Sequence, residues 1–325
     1  MVTIIAPTPS FDRRAIPAEA IESIWYGQGG WPIRRIDWNL EHNADCSPRG
    51  SILFLGGRGD HYEKYLETLD GFARQNWQVA AIDWRGQGLS GRFLDDANIG
   101  DVDDFSTWVR DLEIFYSNWQ KQHPAPHVII AHSMGGHLAM RAAIEKAIDP
   151  DAMILIAPMF SIHSGGLPLT FTRIIARLMV TLGRGSRAAW KVSEKPLSPL
   201  TSRSRMLTHD QSRYEDEAAW WKIRPGLQLG PGSWRWVYRA VASIKRIHRP
   251  GGLEGVKIPV FIAATSADQL VGSDQIIEDA KRLPNAELLL FGKEAAHELL
   301  RESDGVRDKV LDAIGKFLDR AAPAA

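Results

Sequence analysis

The sequence contains a single cysteine, Cys46, in 325 residues, so no internal disulfide framework exists. It has no run of about eighteen apolar residues, and no membrane-spanning helix is expected. Residues Met1 to Ile5 lack a basic flank followed by an apolar core, so no secretory signal is expected and the cytoplasm is the default compartment. Net charge is missing as well: 39 Lys and Arg balance 39 Asp and Glu. No basic helix interleaved with aromatics argues for nucleic acid. The phosphate-cradling pattern G-x-x-x-x-G-K-[ST] is absent, and no nucleotide or other cofactor is expected. Neither H-E-x-x-H nor C-x-x-C occurs, so no metal site is expected. There is no internal repeat and no low-complexity tract.

What is present is ordinary globular material, with 44% apolar and 24% charged residues. The length suits one large α/β domain with an insertion. Residues 1–30 look irregular, with Pro7, Pro9 and Pro17 and then Gly27, Gly29 and Gly30. Pro32 to Trp38 alternates loosely and is expected as an edge strand. Ser51 to Leu55 is a continuous apolar run, which predicts a buried strand. Trp77 to Ile82, Val128 to Ala131, Ala152 to Ala157, Pro259 to Ala264 and Glu287 to Phe291 repeat that pattern. Helices are expected between them, at Glu63 to Gln75, Asp103 to Gln122, from Ser133 to about Lys146, Ser273 to Leu283 and Asp304 to Ala321. In the second of these, Phe105, Trp108, Val109, Leu112, Phe115, Tyr116 and Trp119 recur at helical spacing, and Asp103 or Asp104 can cap it. Alternation of strand and helix predicts a doubly wound, mostly parallel sheet. Residues 159–255 interrupt it with prolines and helical pieces at Phe171 to Leu182, Arg213 to Ile223 and Ser233 to His248. That stretch is expected to be a helical cap over the site.

The chain is organised around Val128 to Met140. A strand-like run passes through Ala131-His132-Ser133-Met134-Gly135-Gly136 into helix-forming residues. This is a near match to the strand–turn–helix pattern G-x-S-x-G, with Ala131 in place of the first glycine. Such a turn exposes one side chain, needs small neighbours, and aims the free amides of the helix start at the reacting centre. Glycines at Gly56-Gly57-Arg58-Gly59-Asp60, after an earlier strand, leave amides free to face developing negative charge.

A serine hydroxyl needs a base within hydrogen-bond reach, and the base needs an orienting acid. In this topology both come from loops at the carboxyl ends of later strands. His297 follows the last strand, and Asp268 follows the one before it. Asp274 is the rival acid, expected instead to cap the next helix. Of the other histidines, His132 is too close in sequence to serve Ser133, and His61 is placed to touch substrate. The glycine-rich loop Asp83 to Ser90 is expected to be structural, with Asp83 and Arg85 paired or hydrogen-bonded to backbone.

These residues together resemble the α/β-hydrolases of the bacterial lysophospholipase and monoacylglycerol lipase type. The resemblance covers roughly residues 50–320. It rests on the Gly56–Asp60 loop with Glu63-Lys64-Tyr65, D-x-R-G-x-G-x-S at 83–90, H-S-M-G-G at 132–136, A-D-x-L-V at 267–271 and H-E-L-L at 297–300. It implies an α/β-hydrolase fold with an inserted helical cap: core at 1–158, cap at 159–255, core again at 256–325. It implies an ester hydrolase with Ser133 as nucleophile, Asp268 as acid and His297 as base. The oxyanion donors would be the amides of Arg58 and Met134, with Gly57, His61 and His132 lining the substrate site. The expected substrate is a lysophospholipid or monoacylglycerol. A small-ester esterase, a peptidase, a haloperoxidase-like reaction and a binding protein on the same scaffold are the alternatives. Serine at position 133 argues against a dehalogenase, which would need Asp there.

Charge is uneven within the zero total. Residues 159–255 hold sixteen Lys and Arg against six Asp and Glu, a net +10 that the rest of the chain cancels. They also hold Trp190, Trp220, Trp221, Trp234 and Trp236. Basic residues with tryptophan suit peripheral contact with an anionic bilayer. The alternative is that the arginines pair with the acidic remainder and the tryptophans fill a core.

Overall fold

The computed structural model describes residues 11–38, 47–163, 167–190 and 202–323. Eight strands form one sheet: β1 (Ala20–Tyr26), β2 (Pro32–Trp38), β3 (Gly50–Leu55), β4 (Trp77–Ile82), β5 (His127–His132), β6 (Ala152–Ile156), β7 (Val260–Thr265) and β8 (Ala286–Phe291). Their spatial order is β1-β2-β4-β3-β5-β6-β7-β8. From β4 to β8 all neighbours are parallel, and β1 and β2 are antiparallel additions.

Two expectations are corrected here. Residues 1–30 are not irregular throughout, because Ala20–Tyr26 is a strand. That strand takes the edge, so Pro32–Trp38 lies inside the sheet between β1 and β4. Its outward neighbour saturates backbone groups that an edge would leave free.

The central strands are apolar on both faces because both faces are covered. Leu53, Leu55, Ile129 and Ala131 enter one core layer, while Ile52, Phe54, Val128 and Ile130 enter the other. The first layer meets α2 (Phe105–Gln122), whose aromatic stripe is buried as its spacing predicted. The Asp104 carboxylate accepts the Ser106 amide and caps that helix. Truncating Trp108 there would cost about 3–5 kcal/mol. Also in the core are α1 (Leu66–Arg74) and α3 (Met134–Ile144), which start behind β3 and β5.

Between β6 and β7 the described residues form α4 (Leu169–Thr181), α5 (Ser202–Leu207), α6 (Gln211–Ile223) and α7 (Trp234–Ile247). After β7 come α8 (Ser273–Arg282) and α9 (Asp304–Ala321). The Ser233 hydroxyl caps α7 by accepting the Trp236 amide. Helix α7 buries Trp236, Val237, Ala240, Val241, Ile244 and Ile247. Helix α4 differs: only Ala176 is buried, and Phe171, Ile174, Ile175, Leu178 and Leu182 are exposed. Many cations of this segment face carboxylates of the sheet half. Arg213 meets Glu67 and Asp304, Arg224 meets Glu22 and Glu63, Arg235 meets Asp101 and Asp103, and Arg246 meets Glu145. Trp220, Trp221 and Trp236 are buried, so the tryptophans do not form an outer belt.

Candidate active site

The local sequence forces Ser133 into an uncommon backbone. Its φ of 51° and ψ of −114° lie where L-residues rarely sit. The surroundings fix it there: its amide donates to the Ile156 carbonyl at 2.9 Å, and its own carbonyl accepts from Met159 at 2.9 Å and His137 at 3.1 Å. A Cβ on Gly135 would run into the carbonyl oxygens of Leu55 and Gly56, so strand and helix meet there only because position 135 is glycine. At the substituted position the Ala131 methyl is fully buried in the core layer that also holds Met134 and Leu138. Met134 opens α3 directly after the serine.

Ser133 lines a cavity of about 570 Å³ together with His297, His132, Arg58 and Asp60. His297 Nδ1 is 2.7 Å from Asp268 Oδ2. The other Asp268 oxygen accepts the amides of Leu270 at 2.8 Å and Val271 at 3.0 Å. Burial opposes charge on both partners, but their mutual attraction and hydrogen bond prevail: the imidazole's pKa lies above the ordinary histidine value and the carboxylate's below its own. Ser133 and His297 line the same cavity, and a nucleophile–base hydrogen bond commonly tightens only when substrate binds. Asp274 lies in the first turn of α8, but the N-cap is Gly272 and no side chain caps the helix, which corrects the capping role expected for it.

The glycine loop after β3 is tied down on both sides of Arg58. The Gly57 amide donates to Asp60 Oδ2 at 2.7 Å, and the Gly59 amide to Gln87 Oε1 at 2.5 Å. Gly57 has no room for a methyl, which would meet Ser133 Cβ at 2.9 Å and His132 Nδ1 at 3.1 Å. It backs the serine from outside the cavity lining, whereas Arg58 lines the cavity. His61 does not reach the cavity. Its ring is buried with Nδ1 3.0 Å from Glu63, in a cluster where Glu63 and Asp83 grip Arg34. Asp83 and Arg85 do not pair with each other but both are structural: Asp83 holds Arg34 at 2.5 Å, and Arg85 is held by Asp111 at 2.6 Å and donates to the Gln28 carbonyl at 2.7 Å. Gly86, Gly88 and Gly91 happen to match the spacing G-x-G-x-x-G. The stretch closes as a turn, with the Gly86 amide on the Ser90 carbonyl at 3.0 Å, and the Asp83 carboxylate fills the space beside Gly88. It opens no helix, so it is no dinucleotide cradle.

A buried chain of charges runs beside the cavity. Asp60 Oδ2 is 2.6 Å from His132 Nδ1, and Oδ1 is 2.6 Å from Lys64 Nζ. Lys64 reaches Glu298 at 2.6 Å, and Glu298 is held by Arg301. All are buried. This relay ties the loop after β3 to the loop carrying His297. The lysine and both carboxylates border the cavity, as does Arg203, itself paired with Glu217 at 2.7 Å. The only signal in sequence was Asp60 and Lys64 four residues apart, which also describes any solvated pair. Among the described residues no group of three or more His, Cys, Asp or Glu could hold a metal, and no helix is long and apolar enough to cross a membrane.

The family model described as serine aminopeptidase, S33, a hydrolase family, matches residues 46–304. Lysophospholipase L2 of Escherichia coli (strain K12) is 26% identical over 97% of this chain and 91% of that protein. In structure, a soluble variant of monoglyceride lipase from Saccharomyces cerevisiae, solved with a substrate analog, aligns with a TM-score of 0.72. It is 18% identical and covers 97% of this chain and 100% of that one. A highly thermostable carboxyl esterase from Bacillus coagulans, solved with glycerol, gives 0.73 at 19% identity, over 94% and 99%. At these identities the two structures speak to the fold alone, and that fold is the α/β-hydrolase fold.

Proposed function

This chain belongs to the serine aminopeptidase S33 family of hydrolases, and we propose that it cleaves carboxylic esters through an acyl-enzyme at Ser133. The observation that carries the reading is His297, paired with Asp268 at 2.7 Å and lining one cavity with a serine held at φ 51°. Ser133 attacks the acyl carbon while His297 takes its proton. The amides of Arg58 and Met134 receive the oxyanion. His297 then protonates the leaving alcohol, water attacks the acyl-enzyme by the same relay, and the acid is released. Asp268 keeps the imidazole oriented throughout.

The substrate we propose is a single-chain lipid ester, a lysophospholipid or a monoacylglycerol. The cavity supports it: Met159, Ile162, Leu167, Ile175, Leu229 and Trp236 give it long apolar walls. The names of the relatives agree. The peptidase alternative is disfavoured, because capture of a free amino terminus needs an unengaged carboxylate. The cavity's Asp60 and Glu298 are each bound to Lys64.

We also propose that α4 rests on a membrane surface. Phe171, Ile174, Leu178 and Leu182 are exposed along it, beside Arg177. Binding to anionic vesicles should exceed binding to neutral ones and weaken as salt rises. Equal, salt-independent binding overturns this part.

A fluorophosphonate probe should label Ser133 in the wild-type chain and fail on Ser133→Ala. A panel of esters of graded chain length, with lysophospholipids and monoacylglycerols included, should show single long chains preferred. Wild-type rates in Ser133→Ala on every ester would overturn the assignment.

A further inference from the structure

A second cavity lies behind α3, on the far side of α4 and α7 from the first. It measures about 350 Å³, many times the roughly 30 Å³ share of one water. Arg141, Arg173, Arg239, Lys245, Arg246 and Arg249 line it, and Asp104 is the single acid in its wall. The same two helices serve both cavities. On α7, Trp234, Trp236 and Val237 face the active-site cavity, while Arg239, Lys245 and Arg246 face this one. On α4, Thr172 and Ile175 face the first and Arg173 the second.

The local carboxylates do not neutralise this lining. Asp104 is 3.3 Å from Arg239. Glu145, just outside, bonds Arg141 at 2.8 Å and Arg246 at 2.5 Å. Arg173, Lys245 and Arg249 pair with no carboxylate among the described residues. The Nε atoms of Arg173 and Arg239 are buried with no hydrogen-bond partner. A buried guanidinium N–H left unpaired is costly, so an acceptor is wanted there. The floor is built rather than incidental. Arg141 is 4% exposed, with Nη1 3.0 Å from Ser243 Oγ, which also sits 2.7 Å from His137 Nε2. Burial, then the neighbouring Arg141 guanidinium, hold the His137 pKa down to about 3, so that ring adds no charge at neutral pH.

Cations near helix carboxyl ends have a simpler explanation, since they complement the helix dipole. That covers Arg141 in the last turn of α3, and Lys245 and Arg246 in the last turn of α7. It does not cover Arg173 and Arg239, which sit within α4 and α7.

We propose that this cleft is an anion subsite that takes a phosphate group. Guanidinium forks from three helices match the tetrahedral oxygens of a phosphate bidentately, and lysine adds a point charge. The phosphate has two chemical sources, a lipid headgroup at a bilayer surface or free phosphate in solution. The exposed apolar residues of α4, the helix that supplies Arg173, favour the headgroup. The proposal stands apart from the ester reading, and its test measures no hydrolysis.

Two triple variants of the full chain make the test. Arg173→Gln with Lys245→Gln and Arg249→Gln empties the cleft of cations that hold no ion pair. Arg184→Gln with Arg187→Gln and Lys222→Gln removes the same charge from exposed positions of the same segment outside it. Circular dichroism checks that both fold. Binding is measured to vesicles of diether phosphatidylglycerol, which an esterase cannot consume, and to inorganic phosphate by calorimetry. The cleft triple should lose about a hundredfold in vesicle affinity, near fivefold per charge, and the outer triple far less. If the cleft triple loses only phosphate binding while both triples keep equal vesicle affinity, the site takes soluble phosphate and the proposal holds with that source. Equal losses in the two triples in both assays, or no phosphate and no anionic-vesicle binding by the wild-type chain, overturn it.

Discussion

Two histidines that border the same cavity each hold an aspartate, and by distance alone the two pairs are the same. His297 meets Asp268 at 2.7 Å and His132 meets Asp60 at 2.6 Å, with the two imidazoles 4.8 Å apart. What separates them is the rest of each carboxylate's bonding. Asp268 takes the imidazole and two backbone amides of its own turn. Asp60 takes an imidazole, the Lys64 ammonium, the Tyr65 hydroxyl and the Gly57 amide. The Nε2 of His132 is buried with no hydrogen-bond partner among the described residues. Asp268 has no partner beyond the imidazole and its own turn, whereas Asp60 ties four groups from three segments together and anchors a loop. Pair geometry in a cleft therefore does not identify a general base; the acid's other bonds do.

The sharpest way to break this comparison is to exchange the roles. Ser133→Ala and His297→Ala should each lower kcat by about six orders of magnitude, and the double variant should be little worse, since such residues act as a unit. His132→Ala should cost about a hundredfold or less, through movement of the loop it braces. Steady-state hydrolysis of a short activated ester reads all of them. Equal losses at His132 and His297 would erase the distinction.

The carboxylates come next. Asp268→Asn should cut the rate by about four orders of magnitude, by analogy with the same change in a serine protease, and its cost in stability should depend on pH. Asp60→Asn should act mainly on stability. It withdraws one partner from a buried ammonium, which costs about 3–5 kcal/mol in urea unfolding, while the rate falls far less. Asp274→Asn should change neither much, since its carboxylate caps nothing.

The first pair was legible in the sequence and the second was not. Strand order places His297 and Asp268, because parallel α/β topology sends successive loops to one edge. The elbow was legible because its glycine requirement is steric and local. The relay through Asp60, Lys64 and Glu298 was hidden, since charges in a sequence look alike whether solvated or buried. The same ambiguity affects α4: its apolar stripe was plain, but a stripe does not say whether a core covers it. Strand β1 was missed because its Ile21-Glu22-Ser23-Ile24-Trp25-Tyr26 is only weakly alternating and follows prolines. Three of its large apolar residues, Ile21, Ile24 and Tyr26, are in fact exposed.

The loop that the second pair anchors offers a smaller test. Gly57→Ala leaves every hydrogen-bonding group in place. Its methyl would meet Ser133 Cβ at 2.9 Å, Asp60 Oδ2 at 3.0 Å and His132 Nδ1 at 3.1 Å. A shift of a few tenths of an ångström there misplaces the oxyanion donors, and one lost donor is worth about a hundredfold or more in kcat. We expect a fall of that order in kcat with KM little changed. A rate equal to wild type would show that the loop yields without moving Arg58.

The finest discrimination is in pH. The base must be neutral to accept the serine proton, so kcat/KM should rise with pH through the His297 pKa. Asp268 raises that pKa above the ordinary 6.5, against burial, so the acid limb lies above 6.5. A raised histidine pKa also means that the pair stabilises the fold fully below the unfolded value, and that this stability is lost as pH rises through the folded value. Removing the negative charge in Asp268→Asn should move the limb down, and it should remove that pH-dependent stability with it. Asp60 acts on the same imidazole from further away, as the weakest of the causes of the raised pKa. Asp60→Asn should therefore shift the limb in the same direction by only a small fraction of that amount. Proton NMR of the His297 ring in a Ser133→Ala background reads both shifts without turnover. A larger displacement from Asp60→Asn than from Asp268→Asn would make the anchor the true partner of the base.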